Sequence, residues 1–463
     1  MTVLSDMTVD TESLDAARSG GAGLPCAAIV PAAPIRRSPV KRKTAVVRYF
    51  LRMPFDFLRR KINRSAIRSV KERGTRVERF KLTGKARVKE TLLADPVIAA
   101  AVAAHARDTG LDAGEVWRIV GRYIDEIVPF FNILAYYRFG YIASRAVLNL
   151  FYKVSAEQHG GRGAATLPRD AIVVYLMNHR SNADYVLVGY VLTGRVAISY
   201  AVGEWARAFP LEYAFKSFGS YFIRRKFREP LYHAVLERYV QLITKNGVTQ
   251  GIFPEGALTR DGKLKAGKIG LLDYIIGVAR DPEYRDRIYL VPVGINYDRV
   301  LEDRSLLREL AVIEGRRTPA RSTQLYEVTR YMWWSSARLV LRRFKRYGRA
   351  AVTIGDPVPL EPWFDEQDAK GERFFDLPRH ERLAKVQLLC DDMMSRIGAI
   401  IPVTPVTLAC AAIQSLDSDF IARARLIERM ADMREVLREL NARTIRAEGP
   451  IEETFDRAWK MLR

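Results

Sequence analysis

Two kinds of hydrophobic pattern divide the chain into helical and strand-containing parts. Apolar residues recur at helical spacing in Val97–Ala106 and in Ala113–Phe131, which predicts a helical region over residues 81–165. The pattern changes near residue 170, because Ala171–Met177 is a continuous apolar and β-branched run. Such a run is typical of a strand buried on both faces.

Further short apolar runs follow, and helical stretches such as Pro230–Lys245 and Lys268–Val278 separate them. The runs are Arg195–Ala201, Gly247–Phe253, Ile288–Val293 and Ala350–Ile354. Strands that alternate with helices predict an α/β domain over residues 166–360, with a central, mostly parallel sheet flanked by helices. Residues 361–463 are predicted to form a helical C-terminal region.

The distribution of positive charge predicts a further segment, which would lie on a membrane surface. The 463 residues carry a formal net charge of +22. Between residues 41 and 79, fourteen Lys and Arg oppose three acidic residues and alternate with apolar residues, which predicts a basic amphipathic segment (41–80) on an anionic phospholipid membrane. A solvated basic arm or a nucleic-acid tail remains the alternative. Residues 1–40, rich in Ala, Gly, Ser and Pro, are predicted to be a disordered leader.

Several features point to the cytoplasmic face of the cell membrane without a spanning helix. The acidic residues near the N-terminus do not fit a secretory signal, and three scattered cysteines (Cys26, Cys390 and Cys410) fit a reducing compartment rather than a disulfide framework or a zinc cluster. The apolar stretches Ile127–Val154 and Ile397–Leu416 are interrupted by cations and by prolines, respectively. We therefore interpret both as interfacial or core segments, with spanning as the less favoured reading.

Candidate chemistry begins directly after the first buried strand, in the loop Asn178–Asp184. Activating a hydroxyl group as a nucleophile near neutral pH needs a base that is mostly neutral yet accepts a proton, and the imidazole of His179 meets both conditions. A carboxylate at Asp184 would hydrogen-bond the other ring nitrogen and fix the tautomer. The alternative is a structural pair in which Asp184 only caps the next helix.

Three further segments add candidate binding groups. Gly219–Arg225 places Arg224 and Arg225 after a turn, in reach of a phosphate or as a solvated basic pair. Ile252–Lys263 follows another buried strand and carries a carboxylate and cations on a glycine-containing loop, which suits a binding site or a turn with a surface ion pair. Val291–Asp298 is a third strand that runs into a loop, and it reads equally well as plain core.

The order and spacing of these segments resemble the four blocks of the glycerolipid acyltransferases. The blocks here are Asn-His-Arg-Ser-x-x-Asp, Gly-x-x-Phe-Ile-Arg-Arg, Phe-Pro-Glu-Gly and Val-Pro-Val-x-Ile-x-Tyr-Asp, between residues 178 and 298. Within that family, the bacterial membrane-bound glycerol-3-phosphate 1-O-acyltransferases and the dihydroxyacetone phosphate acyltransferases are most similar. Weaker similarity lies on both sides of the blocks, including Tyr347–Pro357 and Pro402–Leu408.

The resemblance implies a catalytic pair and a set of substrate-binding residues. His179 would be the general base and Asp184 would orient it. The substrate-binding residues would be Arg180, Ser181, Arg224, Arg225, Glu255, Gly256, Arg260, Lys263 and Pro292. Among these, the arginines would bind the acceptor phosphate, Glu255 would position acceptor hydroxyls or the loop, and Pro292 would shape the acyl-donor side. No metal and no cofactor are expected, because acyl-CoA or acyl carrier protein serves as co-substrate.

One position departs from the family pattern. Members of the glycerol-3-phosphate type commonly have an arginine two residues before Arg260, where this chain has Leu258. Losing one charge-assisted contact would cost about 1.5 to 3 kcal/mol of acceptor binding unless another cation replaces it. Lys263, Lys265 and Lys268 are near enough in sequence to do so.

The leading prediction is an enzyme that acylates the sn-1 hydroxyl of glycerol 3-phosphate, giving lysophosphatidate in phospholipid biosynthesis. Lysophosphatidate and dihydroxyacetone phosphate are alternative acceptors, because the hydroxyl attacked and the phosphate held are similar. An inactive membrane-surface binding protein is the alternative of another class. Nucleic acid is not an expected partner, since no recognition motif accompanies the positive charge.

Overall fold

The computed structural model describes residues 79–463 except 133–135, 137–139, 162, 164–165, 193–195, 208–210, 226, 316–345 and 419. The predicted leader (1–40) and all but the last two residues of the predicted basic segment (41–80) lie outside the described residues. The boundaries predicted for the remaining regions stay predictions.

A mixed sheet of eight strands forms the centre of the described part of the chain. Its order is β1–β7–β6–β2–β5–β3–β4, and β8 pairs with β6 beside β7. The strands are β1 (Lys153–Gln158), β2 (Ile172–Met177), β3 (Ser199–Val202), β4 (Tyr221–Phe222), β5 (Gln250–Ile252), β6 (Ile288–Tyr297), β7 (Arg349–Ile354) and β8 (Val358–Pro359).

Most strand pairs are parallel, which confirms the predicted fold class. The pairs β6–β2, β2–β5, β5–β3 and β3–β4 are parallel, so five strands run in one direction. Strands β7 and β8 pair antiparallel with β6, and β1 pairs parallel with β7. Strand β1 lies inside the region that we predicted to be helical. It was missed because it is an edge strand of mixed, largely solvent-accessible residues with no continuous apolar run.

Helices before, between and after the strands cover the sheet. They are α1 (Lys85–Leu93), α2 (Pro96–Thr109), α3 (Ala113–Ile127), α4 (Tyr141–Phe151), α5 (Asp184–Leu192), α6 (Leu211–Ser217), α7 (Pro230–Lys245), α8 (Gly270–Ile276), α9 (Asp303–Ile313), α10 (Glu361–Ala369), α11 (Arg379–Ile400), α12 (Pro405–Leu416), α13 (Arg423–Glu439) and α14 (Ile451–Leu462). Short 3-10 helices occupy Arg79–Leu82, Glu204–Arg207, Gly277–Arg280 and Pro282–Arg287.

The two faces of the sheet carry separate hydrophobic clusters, and this explains the unbroken apolar run of β2. Ile172, Val174 and Leu176 pack into one cluster, together with residues of α1, α2, α3, α7, α8 and α11. The alternate residues Val173, Tyr175 and Met177 pack into the other, together with residues of α5. Because successive side chains of a strand point to opposite faces, both sets must be apolar.

Pro292 lies in the interior of β6, where its missing N–H coincides with a break in the neighbouring strand. Residues 355–357 separate β7 from β8 at this level of the sheet. The carbonyl of Pro292 accepts a hydrogen bond from the N–H of Gly355 at 2.8 Å. A proline has no N–H to donate to a neighbouring strand, so it fits here, where the gap between β7 and β8 lies beside it.

Helix α11 of the C-terminal region packs closely against the centre of the sheet. A Cβ atom at Gly294 would lie 2.6 Å from the carbonyl oxygen of Ile400, so the last turn of α11 approaches β6 as only glycine allows. The chain then leaves the helix at Pro402, and α12 begins at Pro405 with Thr404 as its N-cap. Among the described residues, none of the helices combines the length and the hydropathy needed to cross a bilayer.

Candidate active site

The predicted chemical groups meet at one edge of the sheet. Strands β2, β3, β4, β5 and β6 run in the same direction, so their carboxyl ends lie at the same edge. In open α/β sheets, ligands bind outside this edge. The loops that leave these strands carry three of the predicted blocks, and the fourth is β6 itself.

At this edge His179 and Asp184 form a buried pair. The imidazole Nδ1 lies 2.9 Å from Oδ2 of Asp184, which is the first residue of α5. The two side chains are 1% and 0% exposed. When the Nδ1 proton points to the carboxylate, Nε2 keeps the lone pair that a base requires. Within the described ranges, no side chain or backbone group hydrogen-bonds Nε2.

Several donors converge on the Asp184 carboxylate besides the imidazole. Oδ2 accepts the backbone N–H groups of Arg180 and Ser181 at 2.7 and 3.0 Å, and Oδ1 accepts the hydroxyl of Tyr297 at 2.7 Å. Burial first, and then the adjacent Asp184 carboxylate, hold the pKa of Tyr297 well above its usual value, so its hydroxyl remains a donor. These bonds fix the carboxylate against the imidazole.

The imidazole ring is also held by aromatic packing. Phe253 stacks on it with ring centroids 4.2 Å apart, and Tyr185 meets it edge-on at 5.5 Å. Phe253 follows β5 and Tyr185 lies in α5, so the ring is clamped between two elements. A base fixed in this way needs little reorganisation before it accepts a proton.

Glu255 joins the loop after β5 to the loop after β2. Its Oε1 accepts the backbone N–H of His179 at 2.7 Å, and its Oε2 accepts that of Lys265 at 3.1 Å. Burial raises the pKa of Glu255, although the two backbone N–H groups oppose that shift. Of the two functions considered from sequence, these contacts fit the positioning of the loop.

The remaining residues of the third block surround this loop. Gly256 has φ +70°, and the side chain of Lys268 packs against it, 3.1 Å from where a Cβ atom would lie. Arg260 pairs with Glu309 of α9 at 2.8 Å. Thr259 donates to the carbonyl of Lys263, whose own side chain is exposed.

The position that departs from the family pattern, Leu258, has a lysine beside it. Lys265 Nζ donates to the carbonyl of Leu258 at 2.9 Å. A second cation is therefore present on this loop close to the place where a family arginine would stand. Arg180 also reaches the loop, because its guanidinium donates to the carbonyl of Gly262. Burial lowers the pKa of Arg180, whereas the nearby Glu255 and Asp184 carboxylates oppose that shift.

The two arginines of the second block have different surroundings. Arg224 forms a bidentate ion pair with Glu126 of α3 at 2.8 and 2.7 Å, and Arg207 contacts the same carboxylate. Its guanidinium also lies over the ring of Phe227, 4.8 Å from the centroid. The Glu126 hydrogen bonds raise the pKa of Arg224 still further above its ordinary value. Arg224 therefore joins α3 to the loop after β4.

Arg225 is exposed, and in the described part of the chain no acidic group pairs with it. Its Nε lies 2.7 Å from the place where a Cβ atom at Gly203 would stand, directly after β3. A side chain at position 203 would displace the guanidinium. Of the two arginines, Arg225 is thus the one free to bind an anion at this edge.

Ser181 and Pro292, the proline of the fourth block, are both buried. Ser181 is fully buried, and its hydroxyl donates to Glu302 at 2.7 Å. Pro292 is buried within β6, opposite Leu176 of β2. The substrate-binding functions assigned to both residues stay predictions.

Sequence reasoning missed three residues that hold the site: Tyr297, Glu302 and Glu126. Tyr297 is part of the fourth block, but the block alone does not reveal that its hydroxyl contacts Asp184. Glu126 and Glu302 lie outside the blocks, and only the fold brings them to Arg224 and to the His179 loop. In the described residues, no group of three or more His, Cys, Asp or Glu side chains is arranged to hold a metal ion.

Comparison with known families agrees with this architecture. Residues 161–296 match the acyltransferase family model, and residues 334–463 match the model of the glycerol-3-phosphate acyltransferase C-terminal region. The chain thus carries an acyltransferase domain. The C-terminal part of the chain is similar to the C-terminal region of the glycerol-3-phosphate acyltransferases, and the resemblance predicted from the four blocks is confirmed.

Several individual proteins are similar to parts of this chain. Glycerol-3-phosphate acyltransferases of Pseudoalteromonas atlantica and Aeromonas hydrophila are each 26% identical, over 68% and 78% of this chain. That of Haemophilus influenzae is 28% identical over 58% of it. The chain spans only 38%, 43% and 32% of these relatives' lengths. A crystal structure of the 1-acyl-sn-glycerophosphate acyltransferase of Thermotoga maritima matches with 19% identity and a TM-score of 0.31, over 57% of this chain and 80% of that one.

Proposed function

We propose that this protein transfers a fatty acyl group from acyl-CoA or acyl carrier protein to the sn-1 hydroxyl of glycerol 3-phosphate, giving lysophosphatidate for phospholipid biosynthesis. The observation that carries the proposal is the His179–Asp184 pair at the carboxyl edge of the sheet, with Nε2 unengaged by the described residues. The relatives from Pseudoalteromonas atlantica, Aeromonas hydrophila and Haemophilus influenzae are named glycerol-3-phosphate acyltransferases, and these names support this choice of acceptor.

In the proposed reaction, His179 Nε2 takes the proton of the acceptor hydroxyl while its oxygen attacks the thioester carbonyl carbon. Asp184 stabilises the imidazolium that forms. The tetrahedral oxyanion then collapses, the carbon–sulfur bond breaks, and the departing thiolate takes the proton back from His179. Each proton has a donor and an acceptor in this sequence of steps, so the proposal includes no cofactor besides the acyl donor.

The acceptor phosphate would bind Arg225. This guanidinium is exposed at the same edge, whereas Arg224 and Arg207 are engaged by Glu126. Lys265 and Lys268, on the loop after β5, would supply further positive charge in place of the arginine missing at Leu258. Glycerol 3-phosphate, dihydroxyacetone phosphate and lysophosphatidate all present a hydroxyl and a phosphate, so these groups suit each of them.

A parallel acceptor assay tests the proposed reaction. Purified full-length protein in mixed micelles would receive labelled acyl-CoA or acyl carrier protein with each of the three acceptors in turn. We expect glycerol 3-phosphate to give the highest kcat/KM. A higher kcat/KM with either of the other two acceptors would show that glycerol 3-phosphate is not the preferred acceptor, while the proposed acyl-transfer reaction would still hold. No transfer to any of them, from a folded protein that still binds membranes, would favour the inactive binding protein.

We also propose that the chain works at the cytoplasmic face of the membrane, held there by its basic segment. Fourteen Lys and Arg between residues 41 and 79 would be attracted to anionic headgroups, and the apolar residues between them would enter the interface. Deleting residues 1–80 should weaken cosedimentation with phosphatidylglycerol vesicles, and salt should weaken binding of the full chain. Neutral phosphatidylcholine vesicles are the control. Unchanged binding after the deletion would place the membrane contact elsewhere.

A further inference from the structure

The loop between His179 and α5 presents four consecutive backbone N–H groups, and each is paired with a side-chain oxygen. Those of Arg180 and Ser181 donate to Asp184, as described above. The N–H of Asn182 donates to Glu302 Oε1 at 3.0 Å, and that of Ala183 donates to Ser181 Oγ at 3.0 Å. Because these groups precede the first turn of a helix, no helical carbonyl is available to satisfy them.

Glu302 accepts one of the two N–H groups that Asp184 does not reach, and it holds the Ser181 hydroxyl that accepts the other. Its Oε2 accepts the hydroxyl of Ser181 at 2.7 Å, while its Oε1 accepts the N–H of Asn182. It stands directly before α9, more than a hundred residues further along the chain. One carboxylate therefore joins the His179 loop to the element that follows β6, by two hydrogen bonds.

We propose that Glu302 is a positioning residue for the acyl-transfer site: its two hydrogen bonds set the path of the His179–Asp184 loop and thereby align His179 with the acceptor hydroxyl. The proposal rests on the acyltransferase function proposed above. Glu302 lies outside the four blocks, and among the described residues its side chain hydrogen-bonds neither His179 nor Asp184.

The electrostatic environment agrees with a carboxylate that is held in place by the loop. Burial, and to a lesser degree the nearby Asp184 carboxylate, raise the pKa of Glu302, whereas the bonds from Ser181 and Asn182 lower it. The N-terminus of α5 favours negative charge on both carboxylates. Without Glu302, the N–H of Asn182 and the hydroxyl of Ser181 would be left without their partner, and the loop would shift to satisfy them.

The experiment compares five variants of the chain in the acyl-transfer assay: Glu302→Gln, Glu302→Ala, Ser181→Ala, the double variant of Ser181→Ala with Glu302→Gln, and Asp303→Asn. Glu302→Gln keeps an acceptor for the Asn182 N–H, but the amide nitrogen that replaces Oε2 can only donate to Ser181 Oγ and cannot accept its hydroxyl. We expect kcat to fall about 10-fold with the acceptor KM within about twofold. Glu302→Ala should lower kcat by about 100-fold, since both bonds are lost. Asp303→Asn is the matched control, because its carboxylate pairs with Arg299 and does not contact the loop. It should leave kcat unchanged.

The double variant Ser181→Ala with Glu302→Gln separates positioning from a general loss of stability. If the two residues act through their common hydrogen bond, the double variant should be no slower than the slower single variant. Multiplied effects would mean that Ser181 acts on the substrate independently, and the proposal would be overturned. It would also be overturned if kcat stayed at the wild-type value in Glu302→Ala, or if the loss merely followed a lower fraction of folded protein by circular dichroism. An inactive wild-type chain would instead count against the proposed function.

Discussion

Replacing His179 by alanine is expected to lower the acyl-transfer rate by about 10²- to 10⁴-fold, the contribution typical of a general base. The imidazole is hydrogen-bonded to Asp184 through Nδ1, and among the described residues no group hydrogen-bonds its Nε2. Removing the imidazole therefore removes the proposed base. The acceptor KM should change little, because the proposed phosphate ligands are elsewhere. The measurement is kcat and KM for glycerol 3-phosphate with purified protein.

The alanine variant also removes a ring that stacks on Phe253, so stability must be followed separately. His179→Asn provides the second variant, because its side-chain amide can donate to Asp184 in place of Nδ1 yet has no basic nitrogen. It should fold normally and be as inactive as the alanine variant. His380→Ala is the control, since His380 is an exposed residue of α11. Wild-type rates in either His179 variant would eliminate the proposed mechanism.

Replacing Arg225 by glutamine is expected to raise the KM for glycerol 3-phosphate by about 10- to 100-fold and to change kcat much less. The expected size follows from the loss of one charge-assisted hydrogen bond, about 1.5 to 3 kcal/mol. Arg225 is exposed beside Gly203 and is unpaired among the described residues, so removing it should leave the stability unchanged. Steady-state kinetics over a range of acceptor concentrations measure the effect.

Arg224→Gln is the informative comparison, because it removes the neighbouring arginine from the same block. Its bidentate pair with Glu126 would be lost, so we expect a lower melting temperature with a smaller change in acceptor KM. Glu126→Gln should lower the melting temperature in the same way. If Arg224→Gln raised the acceptor KM as much as Arg225→Gln while the stability held, the division of function between the two arginines would be wrong.

Elements with a strong local signal were predicted closely. Helix α7 has the predicted bounds Pro230–Lys245, where a proline at the first helical position and regular apolar spacing mark the start and the buried face. Strand β2 was also predicted closely, because a continuous apolar run is typical of a strand that is buried on both faces of a sheet. It begins one residue later than predicted. Strand β6 continues to Tyr297, four residues beyond its predicted end, and those extra residues pair with β7.

Elements that depend on a distant partner were not predicted. Strand β1 has no apolar run, and its hydrogen bonds come from β7, about two hundred residues further along the chain. The antiparallel direction of β7 and β8 relative to β6 is equally invisible locally, since a short apolar run has the same composition in either direction.

The amino-acid sequence was enough to predict the His179–Asp184 pair and the cationic blocks, because these residues lie close together along the chain in four blocks that resemble those of the glycerolipid acyltransferases. The partners that hold these groups became visible in the folded chain alone. Glu126 engages Arg224 but not Arg225, Tyr297 reaches Asp184, and Glu302 reaches the catalytic loop. The physical reason is that each of these contacts joins residues about a hundred positions apart, and a side chain's composition does not reveal which distant group will satisfy its hydrogen bonds once both are buried.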